Sequence, residues 1–509
     1  MLLKNTYIYL QKFFLKQKAI SMKLSLRLTK LAVLTVGFVI FNQCAVNPVT
    51  GKKQVILMSE SQEAAMGAEA HPQILGEYGE YPNAQLQEYL NNIGQRMAKV
   101  SHRPNLPFQF KVVDSDVVNA FAVPGGYVYF TRGILAHFNN EAQLAGVLGH
   151  EIGHVTARHG AQQQSKQMMG QVLFIGAMIA SPKLAQFGEQ LSQGMQLLFL
   201  KFGRDDESQS DELGVEYSSK IGFDARHMAD FFATLNRLSG DAGDRLPTFM
   251  STHPDPGDRN KKVKAMAIDY QQKNPSQTYA VNRESYLKLI DGIVYGEDPK
   301  QGYVVSNVFY HPELRFQFPI PQGWKYQNSP QQFQMAAADG KAMMVMTLSG
   351  EKTPEAAAQA FATQYKLQVV DRKSTTINGL PAVIQVADQV AAAQQGQQAG
   401  PAVRIATTCI LHDGKVYMII GATEAANYRN YEGTFAITMK GFAPLTDPAR
   451  INVKPEKVRI NTVYNEGTLA EILRGFGMAD ARLKELSVLN GMELTERVAR
   501  GTLIKTVVK

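Results

Sequence analysis

"HEIGHVTARH", residues 150–159, places three histidines and one glutamate within ten positions. On a helix turning about 100° per residue, with His150 as origin, His154 lies near 40° and Glu151 near 100°. His150 and His154 are therefore one turn apart and can share one ion. The same projection puts His159 near 180°, among Leu144, Val147, Leu148, Ile152 and Val155, so a buried structural histidine is expected there, not a ligand. Gly146, Gly149 and Gly153 gather on the flank beside the ligands. Each costs a helix roughly 1 kcal/mol relative to Ala, so three on one face predict another backbone in close approach.

The pattern is H-E-x-x-H, in which the glutamate is placed to act on a water polarised by the metal. Catalytic zinc takes three protein ligands and keeps one position open. Candidates for the third lie in "GRDDESQSDELG", residues 203–214. Glu207 and Asp211 are four apart and share a helical face. Glu207 can bind the metal while Asp211 accepts the second ring N–H of a ligand histidine and fixes its tautomer. Asp205, Asp206 and Glu212 fall on other faces and read as solvated charges.

Taken together, "HEIGHVTARH" and "ESQSDELG" resemble peptidase family M48, zinc endopeptidases that carry H-E-x-x-H and a later E-x-x-A-D. Ser210 stands where the family has Ala. The resemblance implies a mainly helical zincin domain of the gluzincin type, with one zinc ion on His150, His154 and Glu207. It implies Glu151 as general base for hydrolysis of a peptide bond by zinc-activated water. "NAFAVPGGYVYFTRGIL" (119–135) is similar to the family segment before the metal helix. Asn119, Ala120 and Phe121 would lie on an edge strand where an extended substrate pairs. "STHPDPGDR" (251–259) resembles the family's H-P-x-x-x-x-R segment. His253 and Arg259 would donate to the oxyanion there, or His253 would fill the open zinc position and restrain activity.

The chain has 509 residues and a net charge of +8. Residues 1–43 hold seven Lys/Arg and no acid; the remaining 46 basic residues face 45 acidic ones. The basicity is thus local, which argues against a nucleic-acid surface on the folded part. "MKLSLRLTK" from Met22, followed by "LAVLTVGFVIF" (31–41), reads as an export signal, the apolar run being shorter than the roughly 20 residues of a membrane span. Met22 is the better start. Cys44 follows at once and resembles the lipidated first residue of bacterial lipoproteins, although Gln43 departs from the small residue usual before it. Cys409 sits in an apolar run and reads as a buried hydrophobe.

These signals divide the chain into a signal segment (1–44), a peptidase domain (45–275), a helical connector (276–305), a strand-rich domain (306–447) and a tail (455–509). In the strand-rich part, Thr353-Pro354-Glu355 opens a helix, and Asn378-Gly379 and Asp413-Gly414 mark hairpin turns. "MMVMTL" (343–348) is a continuous apolar run within this region of strand patterns. The order of elements is similar to the PsbP-like α/β fold. The tail, with Gly467-Thr468-Leu469 and Leu483, Leu486, Leu489 and Asn490, resembles a LysM βααβ domain, a family that binds glycans such as peptidoglycan. An apolar stretch (167–184) between the metal helix and Glu207 reads as a buried helix. The expectation is a multidomain α+β protease of the bacterial envelope, anchored through lipid, facing the periplasm and acting on unfolded proteins. The alternative is a restrained, chaperone-like scaffold that binds envelope proteins or peptidoglycan.

Overall fold

In the computed structural model, which describes residues 44–166, 202–241, 249, 253, 259–389 and 403–509, the first block is built on a small sheet. Its strands are β1 (Gln109–Val113), β2 (Ala120–Val123) and β3 (Tyr127–Thr131), in the order β1-β3-β2. β1 runs parallel to β3, and β2 antiparallel to it. The hairpin between β2 and β3 turns at Pro124-Gly125-Gly126, where φ of +91° and +97° at the two glycines explains the residue choice. Side chains alternate between faces. Val112, Ala120, Val128 and Phe130 join the main core, whereas Val113, Phe121, Val123 and Tyr129 pack with Ala70 and Ile74 of α1 (Glu60–Tyr78).

Behind the sheet stand α2 (Ala84–Val100), α3 (Arg132–His137) and α4 (Glu141–Thr156). Asn140 caps α4, its side chain accepting from the amide of Gln143. The stripe expected on this helix is in fact a cylinder: every residue from Ala142 to Thr156 is buried. The glycine flank meets α5 (Arg204–Lys220). A Cβ on Gly149 would sit 2.9 Å from the carbonyl oxygen of Gly214, and one on Gly153 would sit 3.2 Å from Cα of Ser210. The predicted close backbone is thus the helix that carries Glu207. α6 (Arg226–Asp241) and α7 (Arg259–Lys273) complete the bundle.

The span expected to be a connector belongs to this core. Tyr286, Leu287 and Ile290 of α8 (Arg283–Ile290) are buried with the helices of the first block, and β4 (Val294–Tyr295) follows directly. The next block begins at Tyr303, slightly before the expected boundary, with a four-stranded sheet of Tyr303–Val305, Val308–His311, Phe316–Pro319 and Ala443–Pro444. Beside it lies an antiparallel seven-stranded sheet. Its strands are β5 (Lys325–Asn328), β6 (Gln332–Ala336), β7 (Ala342–Ser349), β8 (Gln368–Ile377), β9 (Leu380–Gln389), β10 (Val403–His412) and β11 (Lys415–Glu424), in the order β5-β6-β7-β11-β10-β9-β8. α9 (Pro354–Gln364) and α10 (Tyr428–Lys440) cover it. Thr353 caps α9, and both expected hairpin turns are present, with Asn378 and Asp413 at positive φ. Along the apolar run "MMVMTL" of β7, Met344 and Met346 face the core while Met343 and Leu348 are exposed.

The tail runs β12 (Glu456–Thr462), α11 (Leu469–Gly475), α12 (Leu483–Leu489), β13 (Leu503–Val508), with a short antiparallel ladder between Gly467–Thr468 and Arg497–Val498. β12 pairs with β13 on one side and with β4 on the other. No helix among the described residues is long and apolar enough to cross a membrane. The export signal and the apolar stretch 167–184 lie outside the described residues. Of Cys44, the backbone pairs with Val55 in a short antiparallel ladder.

Candidate metal centre

Four donor atoms converge between α4 and α5. His150, His154, Glu207 and His253 each offer one, all within 4.8 Å of one another, and all four residues are buried. His150 Nε2 lies 3.0 Å from His154 Nε2 and 3.3 Å from His253 Nδ1. Glu207 places Oε2 3.6 Å from His150 Nε2 and Oε1 3.5 Å from His154 Nε2. Bonds of about 2.0–2.1 Å at tetrahedral angles set neighbouring zinc ligands ~3.3 Å apart, so the spacing fits one such ion. Two imidazoles, a third imidazole and a carboxylate form a zinc-type donor set. Glu207 Oε2 has no aligned hydrogen-bond partner, although Arg259 Nη1 is 3.0 Å away. Helical spacing accounts for the pairing of His150 with His154; Glu207 is brought in by a second helix, and His253 stands among the three.

The sequence profile described as "Peptidase family M48" matches residues 84–267, a span that holds all four donors. Residues 84–267 belong to peptidase family M48. Over 255 residues the chain is 30% identical to the beta-barrel assembly-enhancing protease of Escherichia coli (strain K12), covering 47% of this chain and 51% of that one. It is 29% identical over 259 residues to the protein of the same name from Yersinia pestis, covering 49% and 52%. Over 173 residues it is 34% identical to the mitochondrial metalloendopeptidase OMA1 of Arabidopsis thaliana, covering 33% of each chain. The chain thus spans about half the length of the first two of these relatives. Among solved structures, it is similar to cyanobacterial PsbP from Synechocystis, at 12% identity and a TM-score of 0.22, over 28% of this chain and 91% of that one.

In the M48 domain Glu151 faces the donors from the next position on α4. Neither carboxylate oxygen has a hydrogen-bond partner among the described residues; Oε1 lies 3.6 Å from His253 Nε2. Burial pushes its pKa up to about 7. Burial, reinforced by the Arg259 charge, lowers His150 to about 4. Burial, reinforced by the neighbouring His150, His159 and His253, takes His154 well below the ordinary histidine range. Burial would lower His253 too, but the Glu207 and Glu151 carboxylates outweigh it and raise its pKa. For Glu207 and Asp211 burial works upward, and the neighbouring cations outweigh it and lower both.

Asp211 sits where the i, i+4 argument puts it, with Oδ1 3.0 Å from His150 Nδ1. Arg259 is turned toward carboxylates. Its Nε and Nη2 donate to Asp211, each at 2.7 Å, and its guanidinium stacks over the Phe232 ring. The oxyanion role expected for Arg259 has to share a guanidinium already engaged this way. The edge strand is present: β2 holds Ala120 and Phe121 and pairs only with β3 among the described residues, while the carbonyl of Asn119 accepts from the Thr131 amide.

His159 is buried, hydrogen-bonded and outside the donor group, as expected, but it lies beside His154 and not on the opposite face. α4 ends at Thr156, and Arg158 adopts φ +62°, so the helical projection no longer applies three residues later. The turn is held by Glu63, which accepts from Arg158 Nε, and by the carbonyl of Met58, which accepts from Nη2. His159 swings back under His154, with 3.0 Å between the two Nδ1 atoms. The only cue in the sequence was the short spacing from His154, which the projection assigned to the wrong side.

Proposed function

We propose that the chain is a zinc-dependent metalloendopeptidase of the bacterial cell envelope, acting on unfolded envelope or outer-membrane proteins. The observation that carries this is the buried donor group with the unpartnered Glu151 carboxylate beside it. His150, His154 and Glu207 would hold one zinc ion, which supplies a Lewis acid for the scissile carbonyl and for water. Glu151, with a pKa near neutrality, accepts the proton of the attacking water and returns it to the leaving amine. Asp211 holds the ring of His150, and Arg259 holds Asp211 and Glu207. An extended substrate pairs along the free edge of β2, using main-chain hydrogen bonds that tolerate many sequences. The names of the bacterial relatives, beta-barrel assembly-enhancing proteases, support the substrate class, and the pattern at Cys44 supports a lipid anchor.

Metal analysis of the purified chain should give one zinc per chain, and casein cleavage should stop with 1,10-phenanthroline. Glu151→Gln should keep the zinc and lose about 10²–10⁴-fold in rate. Cleavage by zinc-free protein, or full activity in that variant, would sink the proposal.

The position of His253 favours a second reading of that residue alone. Its Nδ1, 3.0 Å from Glu207 Oε1, sits inside the donor group and not beyond it. In this reading His253 closes the shell in a resting form. His253→Ala should then raise the cleavage rate; a donor to the oxyanion would lower it.

A further inference from the structure

We propose that His159, backed by Gln209 and Ser210, is a positioning residue that fixes which ring nitrogen of His154 carries the proton. The inference rests on the metal reading above. His154 turns Nε2 to the donor group and Nδ1 to His159 Nδ1, 3.0 Å away. At that distance one nitrogen must donate and the other accept. The choice is made on the far side of His159, where Nε2 lies 2.9 Å from Gln209 Oε1. A carbonyl oxygen only accepts, so Nε2 keeps its proton, and in the neutral ring Nδ1 is then a bare lone pair. Nδ1 accepts from His154 Nδ1–H, and His154 Nε2 is left with its lone pair toward the donor group. Ser210 Oγ, 3.3 Å from His159 Nδ1, adds a second donor to the same lone pair. That hydroxyl is absent from the family pattern, which has Ala at this position.

The two histidines on α4 are therefore oriented by different chemistry. His150 leans on the Asp211 carboxylate; His154 leans on a neutral chain of ring, amide and hydroxyl. The Asp206 carboxylate stands off from that chain, its Oδ1 3.7 Å from His159 Nε2, beyond hydrogen-bond distance. A relay without net charge fixes the tautomer while adding no negative charge to the shell, which Glu207 already provides.

The test compares full-length zinc-loaded variants by chelator competition and by the visible spectrum after cobalt substitution. His159→Phe keeps the ring volume but removes the acceptor. Zinc affinity should fall about 10–100-fold, the loss typical of a ligand's hydrogen-bond partner, and the cobalt spectrum should change. His159→Asn, whose amide oxygen can accept near the position of Nδ1, should restore most of the affinity. Gln209→Leu should weaken zinc binding by removing the acceptor that sets His159. Unchanged zinc affinity and cobalt spectrum in His159→Phe would overturn the proposal, as would equal losses in the Phe and Asn variants, which would mark a packing effect. Should His159→Phe not fold, unchanged affinity in Gln209→Leu decides against it. Failure of the unsubstituted chain to take up zinc would strike the metal reading itself, a separate result.

Discussion

Asp211 serves two neighbours with one carboxylate, accepting from His150 and from Arg259. Removing it leaves a buried guanidinium with Glu207 as its remaining carboxylate contact among the described residues. Breaking a buried pair this way costs about 3–5 kcal/mol, and losing a ligand's orienting partner costs about 10–100-fold in metal affinity. Asp211→Leu should show both losses, in urea unfolding and in chelator competition. A variant as stable and as tight as the parent would remove Asp211 from the proposed site. Glu151 gives the pH dependence. In the zinc-free chain its folded pKa is near 7, above the ordinary 4.5, so between these values the folded state holds a proton that the unfolded state has released. Stability must then fall as pH rises from about 4.5 to about 7 and change no further from this group above that. Glu151→Gln should stabilise zinc-free protein more at pH 8 than at pH 5, by on the order of 3 kcal/mol, measured by unfolding at both pH values. Spacing alone revealed Glu151 and Asp211, because helical geometry is local. His159 and Arg259 escaped it, one behind a left-handed turn and the other on α7, 48 residues after the Asp211 it bonds, where no local rule says which way a side chain faces.

Helix crossing is the next scale. α4 and α5 approach so closely that Gly149 and Gly214 face each other, and a Cβ on Gly214 would lie 3.0 Å from the carbonyl oxygen of Gly146. This proximity lets two short imidazoles on one helix reach a carboxylate on the other. Gly149→Ala would gain roughly 1 kcal/mol in helix propensity, but its new methyl meets backbone at 2.9 Å, which cannot rotate away. Overpacking of this sort costs about 1–3 kcal/mol, so net destabilisation is expected, together with weaker zinc binding as Glu207 is pushed from the histidines. Gly433, inside α10 with nothing within 4 Å of where a methyl would sit, is the control; Gly433→Ala should stabilise by up to ~1 kcal/mol. Melting temperatures of the two variants should move in opposite directions. The glycine triplet was readable in the sequence because its helical cost demanded a reason; for Gly149 and Gly153 the reason proved to be the partner helix, and for Gly146 the Met228 side chain of α6.

At the level of the whole chain, composition and turn signals separated the strand-rich block from the helical one, but they could not show which blocks share a core. β4 sits in the span read as a connector, yet it extends the sheet of the tail. A pairing of residues 294–295 with 456–457 leaves no local trace. The same holds for Lys505. Its ammonium is buried and donates to the carbonyls of Ala136, Phe138 and Leu489, at 2.8, 2.7 and 3.0 Å. Burial draws its pKa well below the usual lysine range, while three acceptors match the three protons of the charged form. The first two carbonyls belong to the last turn of α3 and its C-cap, so the tail grips the chain just before the metal-bearing helix. Arg283 adds to the grip, donating to the carbonyls of Asn139 and Leu503, and Arg237 donates to Met492 of the tail. Lys505→Met preserves the length of the side chain but leaves three buried acceptors without this donor. Each such loss costs about 1–3 kcal/mol, against which the relief of burying one charge fewer is a partial offset. The variant should therefore melt several degrees lower, and limited proteolysis should release the segment from about residue 453 onward before the M48 domain is cut. An unchanged melting temperature with an equally resistant tail would mean that the blocks adhere through apolar contact alone, and that the lysine contributes nothing to holding α4 in place.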